Sequence, residues 1–161
     1  VVLHYGTNVL NYGSLNYTWY EKRMANVIAH IRECFPGVSI LVISTADKST
    51  KYDTKMQTDS AVVPLALAQK RYAVKTNSAY VNLYTLMGGD GSMVKWVEED
   101  PAKANKDYTH FNHRGAKKIA GLLYEQLNEG YEKYKALRKK RKPTAKKPKD
   151  STVVKNDSVD A

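Results

Sequence analysis

The stretch Val38-Ser-Ile-Leu-Val-Ile-Ser44 decides how the rest of the chain is interpreted. It is short, almost entirely apolar and rich in β-branched residues, which is typical of a strand buried on both faces of a parallel sheet. A similar run, 1–5, precedes it, and a third run, 79–83, follows it. Segments with helical periodicity separate these runs. Because strands that alternate with helices form parallel sheets with crossover connections, the sequence predicts an α/β fold.

Three segments are predicted to be helices. The first begins at a capping box, Thr18-Trp-Tyr-Glu21, and ends before Pro36-Gly37. The second begins at Pro64 and continues through Lys75, and the last spans Gly115–Leu137. We expect loops over 6–17, 45–60 and 86–110, the last with one short turn around Met93–Trp96.

Length and composition exclude several classes of protein. A chain of 161 residues corresponds to about one domain, and no apolar run approaches the length of a membrane-spanning helix. The single cysteine excludes a disulfide scaffold and a cysteine-based zinc finger. Cys34 lies late in the first helix and near its apolar face, and we expect it to be a small buried hydrophobic residue. The first residue is Val rather than Met, which we interpret as the start of an excised or processed piece.

The formal net charge of +10 is concentrated at the C-terminus. Residues 138–161 contain nine basic and three acidic residues, with two prolines and no large apolar residue before position 150. Such a segment cannot bury enough apolar surface to fold, so we predict a folded part over 1–137 and a disordered basic tail over 138–161. The tail is either a solvated extension or a contact for nucleic acid, anionic lipid or an acidic wall polymer.

Asp107-Tyr-Thr-His110 is the first candidate for catalytic chemistry. A carboxylate three residues before a histidine can orient the imidazole, which can then act as a general base. The alternative is a loop Asp beside a surface His. His113, three residues further on, opens the possibility of a metal site. No third ligand is evident, so we expect no metal and no cofactor, and we interpret His113-Arg-Gly115 as the start of the last helix.

Asn8 is the second candidate. It follows the first strand and Gly6, and a side-chain amide there can donate a hydrogen bond to a developing oxyanion. The alternative is an Asn required only by a turn. Gly88-Gly-Asp-Gly-Ser92 lacks the lysine and the strand-to-helix placement of a phosphate-binding loop, and we interpret it as a flexible loop beside the site. His4 and His30, inside a strand and a helix, are interpreted as structural.

Three of these pieces together resemble the SGNH/GDSL hydrolases, esterases and lipases on a flavodoxin-like, three-layer α/β/α parallel sheet. Tyr5-Gly-Thr-Asn8 is similar to the family's G-x-N block, and Asp107-Tyr-Thr-His110 is similar to its D-x-x-H block. The stretches 87–96 and 105–112 are similar to the bacterial peptidoglycan and carbohydrate O-acetylesterases. The resemblance covers roughly residues 1–135. It implies that Asp107 and His110 belong to the catalytic triad, that Asn8 completes the oxyanion hole, and that Gly6, Thr7, Gly88 and Gly89 contact the substrate.

The sequence departs from this family at its beginning. The G-D-S block with the nucleophilic Ser and the block with an oxyanion-hole Gly do not occur here, and Ser14 and Ser92 stand in the wrong context. Two strands of the family sheet would also precede the first run. The resemblance therefore implies the C-terminal part of a serine esterase, inactive alone, whose missing N-terminal half is supplied in cis or in trans. We also expect the bare edge of the first strand to make the isolated chain unstable or to pair with another polypeptide.

The implied substrate is an acetylated carbohydrate or another cell-wall ester, and the implied location is the bacterial periplasm or outside the cell. A non-catalytic SGNH-like module that binds cell-wall carbohydrate is the first alternative. A basic nucleic-acid binder is the second, and it ranks last because no aromatic residue is interspersed among the tail charges.

Overall fold

A parallel sheet of three strands organises the computed structural model, which describes residues 1–140. The strands are β1 (Val2–His4), β2 (Leu41–Ile43) and β3 (Ala79–Val81), in the order β1-β2-β3. Leu3 lies beside Val42 and Val42 beside Tyr80, in parallel register. The predicted buried strand is thus the central one, and its apolar run is explained by packing on both faces.

Five helices accompany the sheet: α1 (Thr18–Cys34), α2 (Val62–Lys75), α3 (Leu83–Met87), α4 (Ser92–Glu98) and α5 (His113–Lys140). Leu3 and Val42 pack with α1 and α2 on one face of the sheet, in a core that includes Ile28, Leu65 and Tyr72. Ile43 belongs to a second core on the other face, with Leu83, Met93, Trp96 and Ile119 from α3, α4 and α5. The arrangement is the predicted three-layer α/β/α sandwich.

Two predicted loops contain regular structure. Residues 45–60 form an antiparallel hairpin, β4 (Ser49–Tyr52) and β5 (Lys55–Thr58), in which Ser49 lies beside Thr58. Asp53 in its two-residue turn has a left-handed φ of 53°. Residues 86–110 contain part of α3 and all of α4, where only a turn was expected. A 3₁₀ turn over Thr7–Val9 follows β1.

The predicted capping box at the start of α1 is wrong. The helix already begins at Thr18, whose backbone N–H donates to Asn16 Oδ1 at 2.9 Å, and Tyr17 occupies the N-cap position without a side-chain cap. Glu21 turns inward instead: it is buried, accepts from Arg71 Nε at 2.7 Å and lies 3.8 Å from Lys75 Nζ. The glutamate therefore joins α1 to α2 rather than capping α1.

Two residues before the expected start at Gly115, helix α5 begins at His113. Asn112 precedes it, and its Oδ1 accepts from the backbone N–H of Gly115 at 3.0 Å, which caps the first turn. The helix continues through Lys140, three residues into the segment assigned to the basic tail. Residues 141–161 lie outside the described part, so the disordered tail stays a prediction. None of the helices in residues 1–140 is both long and apolar enough to cross a bilayer.

Candidate active site

Asp107 and His110 form a hydrogen-bonded pair on an exposed loop. His110 Nδ1 lies 2.9 Å from Asp107 Oδ2. The other carboxylate oxygen, Oδ1, accepts from the backbone N–H groups of Thr109 and His110, each at 2.9 Å. The backbone N–H of His110 has the largest effect in lowering the pKa of the Asp107 carboxyl below its ordinary value, and the side chain of His110 also lowers it. Asp107 is therefore ionised at neutral pH and holds the ring by Nδ1.

The loop that carries this pair is fixed at both ends. Ala104 and Phe111 form an antiparallel bridge, and the backbone N–H of Asn105 donates to the carbonyl of His110 at 2.8 Å. Phe111 packs its ring against Trp96 of α4, with the ring centroids 5.6 Å apart. Tyr108, between Asp107 and Thr109, has a left-handed φ of 53°. This conformation, uncommon for a non-glycine residue, lets the chain turn back within the loop.

A backbone hydrogen bond places the loop at the carboxyl edge of the sheet. The carbonyl of Tyr108 accepts from the N–H of Ser49 at 2.9 Å, and Ser49 opens the hairpin six residues after β2 ends. The phenolic hydroxyl of Tyr108 lies 3.4 Å from Glu98 at the end of α4. The carboxyl edge is where ligands bind in open α/β sheets. The half-exposed Asp107 and the exposed His110 are accessible there to a substrate.

Asn8 lies at the same edge, in the 3₁₀ turn that follows β1. Asn8 is exposed. Gly6, two residues earlier, has a φ of 130°, a backbone conformation that residues with a side chain rarely adopt. Gly6 and Thr7 are half-buried. No hydrogen bond links Asn8 to Asp107 or His110 within residues 1–140. The structure thus places the two candidate blocks at one edge of the sheet, each on its own loop.

Gln69 fixes the position of the Asn8 loop, and the sequence analysis missed it. This side chain of α2 is fully buried. Its Nε2 donates to the carbonyl of Tyr5 at 2.5 Å, and its Oε1 accepts from the N–H of Thr45 at 2.7 Å. It therefore joins the carboxyl ends of β1 and β2. Gln69 stands among the apolar positions of the predicted second helix, and this position is the feature of the sequence that could have indicated it.

Asp47 is a second residue that the sequence analysis missed. It follows β2 and is buried, and its Oδ2 accepts from the N–H of Met93 at 2.8 Å and from the hydroxyls of Thr58 and Ser92, each at 3.2 Å. Its Oδ1 has no partner among the described residues. Burial raises the pKa of this carboxyl above its ordinary value, against the opposing effect of these hydrogen bonds. Asp47 joins the end of β2 to the hairpin and to the start of α4.

The Gly88–Ser92 loop has defined contacts at both ends, whereas the sequence indicated a flexible loop. Gly88 and Gly89 have φ values of 122° and 77°, and their N–H groups donate to the carbonyls of Thr85 and Tyr84 at the end of α3. The N–H of Gly91 donates to Thr58 Oγ1 at 2.8 Å. Positive φ at both glycines ends α3 there, a use that requires no substrate. Contact of Gly88 and Gly89 with a substrate stays a prediction.

Two cavities differ in their relation to the candidate residues. One of about 510 Å³ lies between β5 and α4 and includes Glu98, the residue in contact with Tyr108. A larger cavity of about 650 Å³ lies between β3 and α5, and none of its lining residues belongs to a candidate block. The smaller cavity adjoins the loop with the Asp–His pair only through Glu98, and Asp107, His110 and Asn8 do not line it.

None of the remaining candidates has a hydrogen bond to Asp107 or His110 within residues 1–140. Cys34 is exposed, which corrects the expectation of a buried residue; it is the last residue of α1, and its Sγ lies 3.9 Å from His30 Nε2. His113 is exposed in the first turn of α5. His4 is exposed on β1. Among residues 1–140, no group of three or more His, Cys, Asp or Glu side chains could hold a metal ion.

Comparison with known proteins supports the fold. No protein-family profile matches the chain, and no curated protein matches it. A solved structure of a peptidoglycan O-acetylesterase is similar to the chain, with a TM-score of 0.70 and 24% sequence identity. The similarity covers 80% of this chain and 36% of that chain. At this identity the similarity concerns the fold, and the chain has the α/β architecture of a part of that esterase.

Proposed function

We propose that the chain is the C-terminal part of a serine esterase domain of the carbohydrate or peptidoglycan O-acetylesterase type. The observation that carries this proposal is the Asp107–His110 pair at the carboxyl edge of the sheet, in which Asp107 holds Nδ1 of the exposed His110 ring. The similarity in fold to a peptidoglycan O-acetylesterase supports the choice of ester class.

Each residue has a role that its surroundings permit. Asp107, ionised and held by two backbone N–H groups, fixes the His110 ring and stabilises its protonated form. His110 Nε2 accepts the proton of a serine hydroxyl and returns it to the leaving alcohol. Asn8 donates its side-chain amide to the oxyanion that forms when serine attacks the acetyl carbonyl. A water molecule then attacks the acetyl-enzyme, with His110 again as base.

The serine itself comes from outside this sequence in our proposal. Ser92, which follows the glycines at 88, 89 and 91, is buried and donates its hydroxyl to Asp47 Oδ2 at 3.2 Å. Without a nucleophile, the remaining groups provide at most a residual rate. We therefore expect the chain alone to show no turnover of p-nitrophenyl acetate that depends on His110. Clear turnover that His110→Ala abolishes would contradict this expectation.

The partner is a polypeptide with the family's G-D-S block, in cis or in trans, and β1 is where it joins. The N–H of Leu41 donates to the carbonyl of Val1. The backbone N–H and C=O groups of the odd-numbered residues in 1–5 therefore point towards β2. By alternation, the backbone groups of Val2 and His4 point to the free edge. Val2 and Tyr5 are also exposed. We expect the isolated chain to self-associate or to melt without cooperativity, and a monomer with a sharp melt would contradict this.

The decisive experiment joins the two parts. The encoding gene is extended upstream, and the longer product is assayed for release of acetate from O-acetylated peptidoglycan. We expect an upstream G-D-S block and a loss of at least about a thousandfold in kcat for His110→Ala. His113→Ala is the matched control, since His113 is an exposed histidine three residues away, and it should leave the rate unchanged.

A gene that begins near Val1 and a product that binds cell-wall carbohydrate without hydrolysis would favour the non-catalytic module instead. The same proposal places the protein in the periplasm or outside the cell. Fractionation of cells that produce the full gene product tests this location, and recovery from the cytoplasm would contradict it.

A further inference from the structure

Most of the second half of α5 is exposed to solvent. The first half packs through Gly115 and Ile119, which are buried, and through Leu122 and Leu123, which are half-buried. From position 127 through 139 the residues are exposed, with one half-buried exception, Lys135. Leu127 and Gly130 still line the cavity beside β3, and about two and a half turns of regular helix, 131–139, extend beyond them.

This exposed segment is amphipathic. Its large apolar side chains recur at intervals of three or four residues, and at roughly 100° per residue they share one side of the helix. They are between 50% and 64% exposed. We call this surface the α5 apolar face and define it by Leu127, Tyr131, Tyr134 and Leu137. All four residues lie beyond Leu123, the last position of α5 that packs in the second core, and Leu127 also lines the cavity between β3 and α5.

Acidic and basic residues of the same segment lie on different sides of the helix. The glutamates Glu125, Glu129 and Glu132 lie on the side opposite the α5 apolar face, by the same rotation per residue. Lys133 and Lys135 flank the face on its two sides, and the Lys135 Nζ lies 4.8 Å from the centroid of the Tyr131 ring. The two lysines pair with Glu129 and Glu132 at 2.6 Å, and thus connect the acidic side to the flanks. Arg138 continues the face one turn beyond Tyr134.

We propose that the α5 apolar face binds the surface of an anionic phospholipid bilayer, with the helix lying in the plane of the interface. The tyrosines and leucines enter the boundary between headgroups and acyl chains, where amphipathic aromatic rings are favoured. Lys133, Lys135 and Arg138 meet the lipid phosphates, and the glutamates point to water. This proposal does not depend on the catalytic assignment.

A second copy of the chain fits the face less well. The apolar pattern covers about two heptads, and stable coiled coils need three or four. The residues that flank the face are basic on both sides, so two such faces would bring like charges together. Anionic lipid is the partner with charge complementary to these flanks.

The test is co-sedimentation of the full chain with vesicles at about 0.1 M salt, where surface charges still interact over roughly 10 Å. We expect binding to vesicles rich in phosphatidylglycerol and no binding to phosphatidylcholine. The triple variant Tyr131→Ser, Tyr134→Ser, Leu137→Ser should bind more than about tenfold more weakly, because it removes the buried apolar area. Its thermal melt should match the unchanged chain, since all three side chains are exposed.

The matched control substitutes the opposite side of the helix: Glu125→Ser, Glu129→Ser, Glu132→Ser. This variant should bind at least as well as the unchanged chain. If the unchanged chain stays in the supernatant, or if the apolar variant binds as tightly as the unchanged chain, the proposal is wrong. In the second case the basic tail, identical in all variants, accounts for binding. A dimer that the apolar variant dissociates, without vesicle binding, would assign the face to self-association.

Discussion

Gly6 lies so close to the buried Gln69 that a Cβ atom at position 6 would stand 2.8 Å from Gln69 Nε2. The glycine also has a φ of 130°. The exit of β1 towards Asn8 therefore depends on a residue without a side chain. The same Nε2 atom of Gln69 donates a hydrogen bond to the carbonyl of Tyr5, the residue before Gly6.

We predict that Gly6→Ala lowers the free energy of unfolding by about 2–4 kcal/mol, from backbone strain and overpacking together. Gly13→Ala is the control: Gly13 has a φ of 78°, but a Cβ atom at position 13 would have nothing within 4 Å. It should lose about 1 kcal/mol, the cost of the backbone conformation alone. Urea unfolding followed by circular dichroism measures both, and equal losses would show that the contact with Gln69 carries no energy. This measurement and the other unfolding measurements below use the upstream-extended gene product, because the isolated chain is not expected to melt cooperatively.

Arg71→Met should destabilise the chain by about 1–3 kcal/mol, because it leaves the buried carboxylate of Glu21 without its main partner. The estimate is at the lower end for a buried pair, since the Arg71 side chain is half-exposed. Lys75→Met is the matched control, because Lys75 is 3.8 Å from the same carboxylate and more exposed. Its effect should stay within about 0.5 kcal/mol. Thermal denaturation of the two variants distinguishes them, and similar shifts would contradict the prediction.

The raised pKa of Asp47 has a defined consequence for stability. The folded chain keeps the Asp47 proton to a higher pH than the unfolded chain, whose value is the ordinary 3.8. The contribution of this group is complete below the unfolded pKa and decreases as pH rises to the folded pKa. Asp47→Asn removes this dependence. Unfolding free energies of both proteins are measured from about pH 4 to 7. The value for the unchanged chain minus the value for Asp47→Asn should decrease with rising pH, and parallel curves would contradict this.

Asp107→Asn should change which nitrogen of His110 carries the proton. The carboxylate now accepts from Nδ1–H, which leaves Nε2 free to take a proton. In the variant, the backbone N–H groups of Thr109 and His110 donate to the side-chain amide oxygen of Asn at position 107. The amide NH₂ then points towards Nδ1 of His110. The neutral ring then carries its proton on Nε2. Nitrogen-15 chemical shifts of the imidazole measure this change, with the His113 ring as a control that should not respond.

The strands were predictable from the sequence, whereas the hairpin was not. Val42 and its neighbours are buried on both faces, so they form an apolar run that is visible without knowledge of the fold. The strands β4 and β5 are mostly polar and half-buried, and their composition is typical of a loop. Helix α4 is seven residues long and has its first turn held by Asp47, a residue 46 positions away. Such contacts between distant residues leave no mark on local sequence patterns.

The same distinction applies to the candidate site. Asp107 and His110 are close in sequence, and their spacing permits the hydrogen-bonded pair that the structure contains. Gln69 lies 64 residues from Tyr5 and 24 from Thr45, so its effect on the Asn8 loop appears only in the folded chain. The expected burial of Cys34 was wrong because this residue ends α1 beyond the last contact of that helix with the core, where a helical pattern still continues.

The capped first turn of α5 also bears on the Asp107–His110 loop. A Cβ at Gly115 would stand 1.9 Å from the carbonyl oxygen of Lys103, which accepts from the N–H of Asn112. The two segments of chain that enter and leave the loop thus meet against the helix at a point with no room for one methyl group. Any larger residue at position 115 would displace the chain at Lys103 and with it the loop. The position of His110 relative to a substrate therefore depends on a glycine that lies outside the loop.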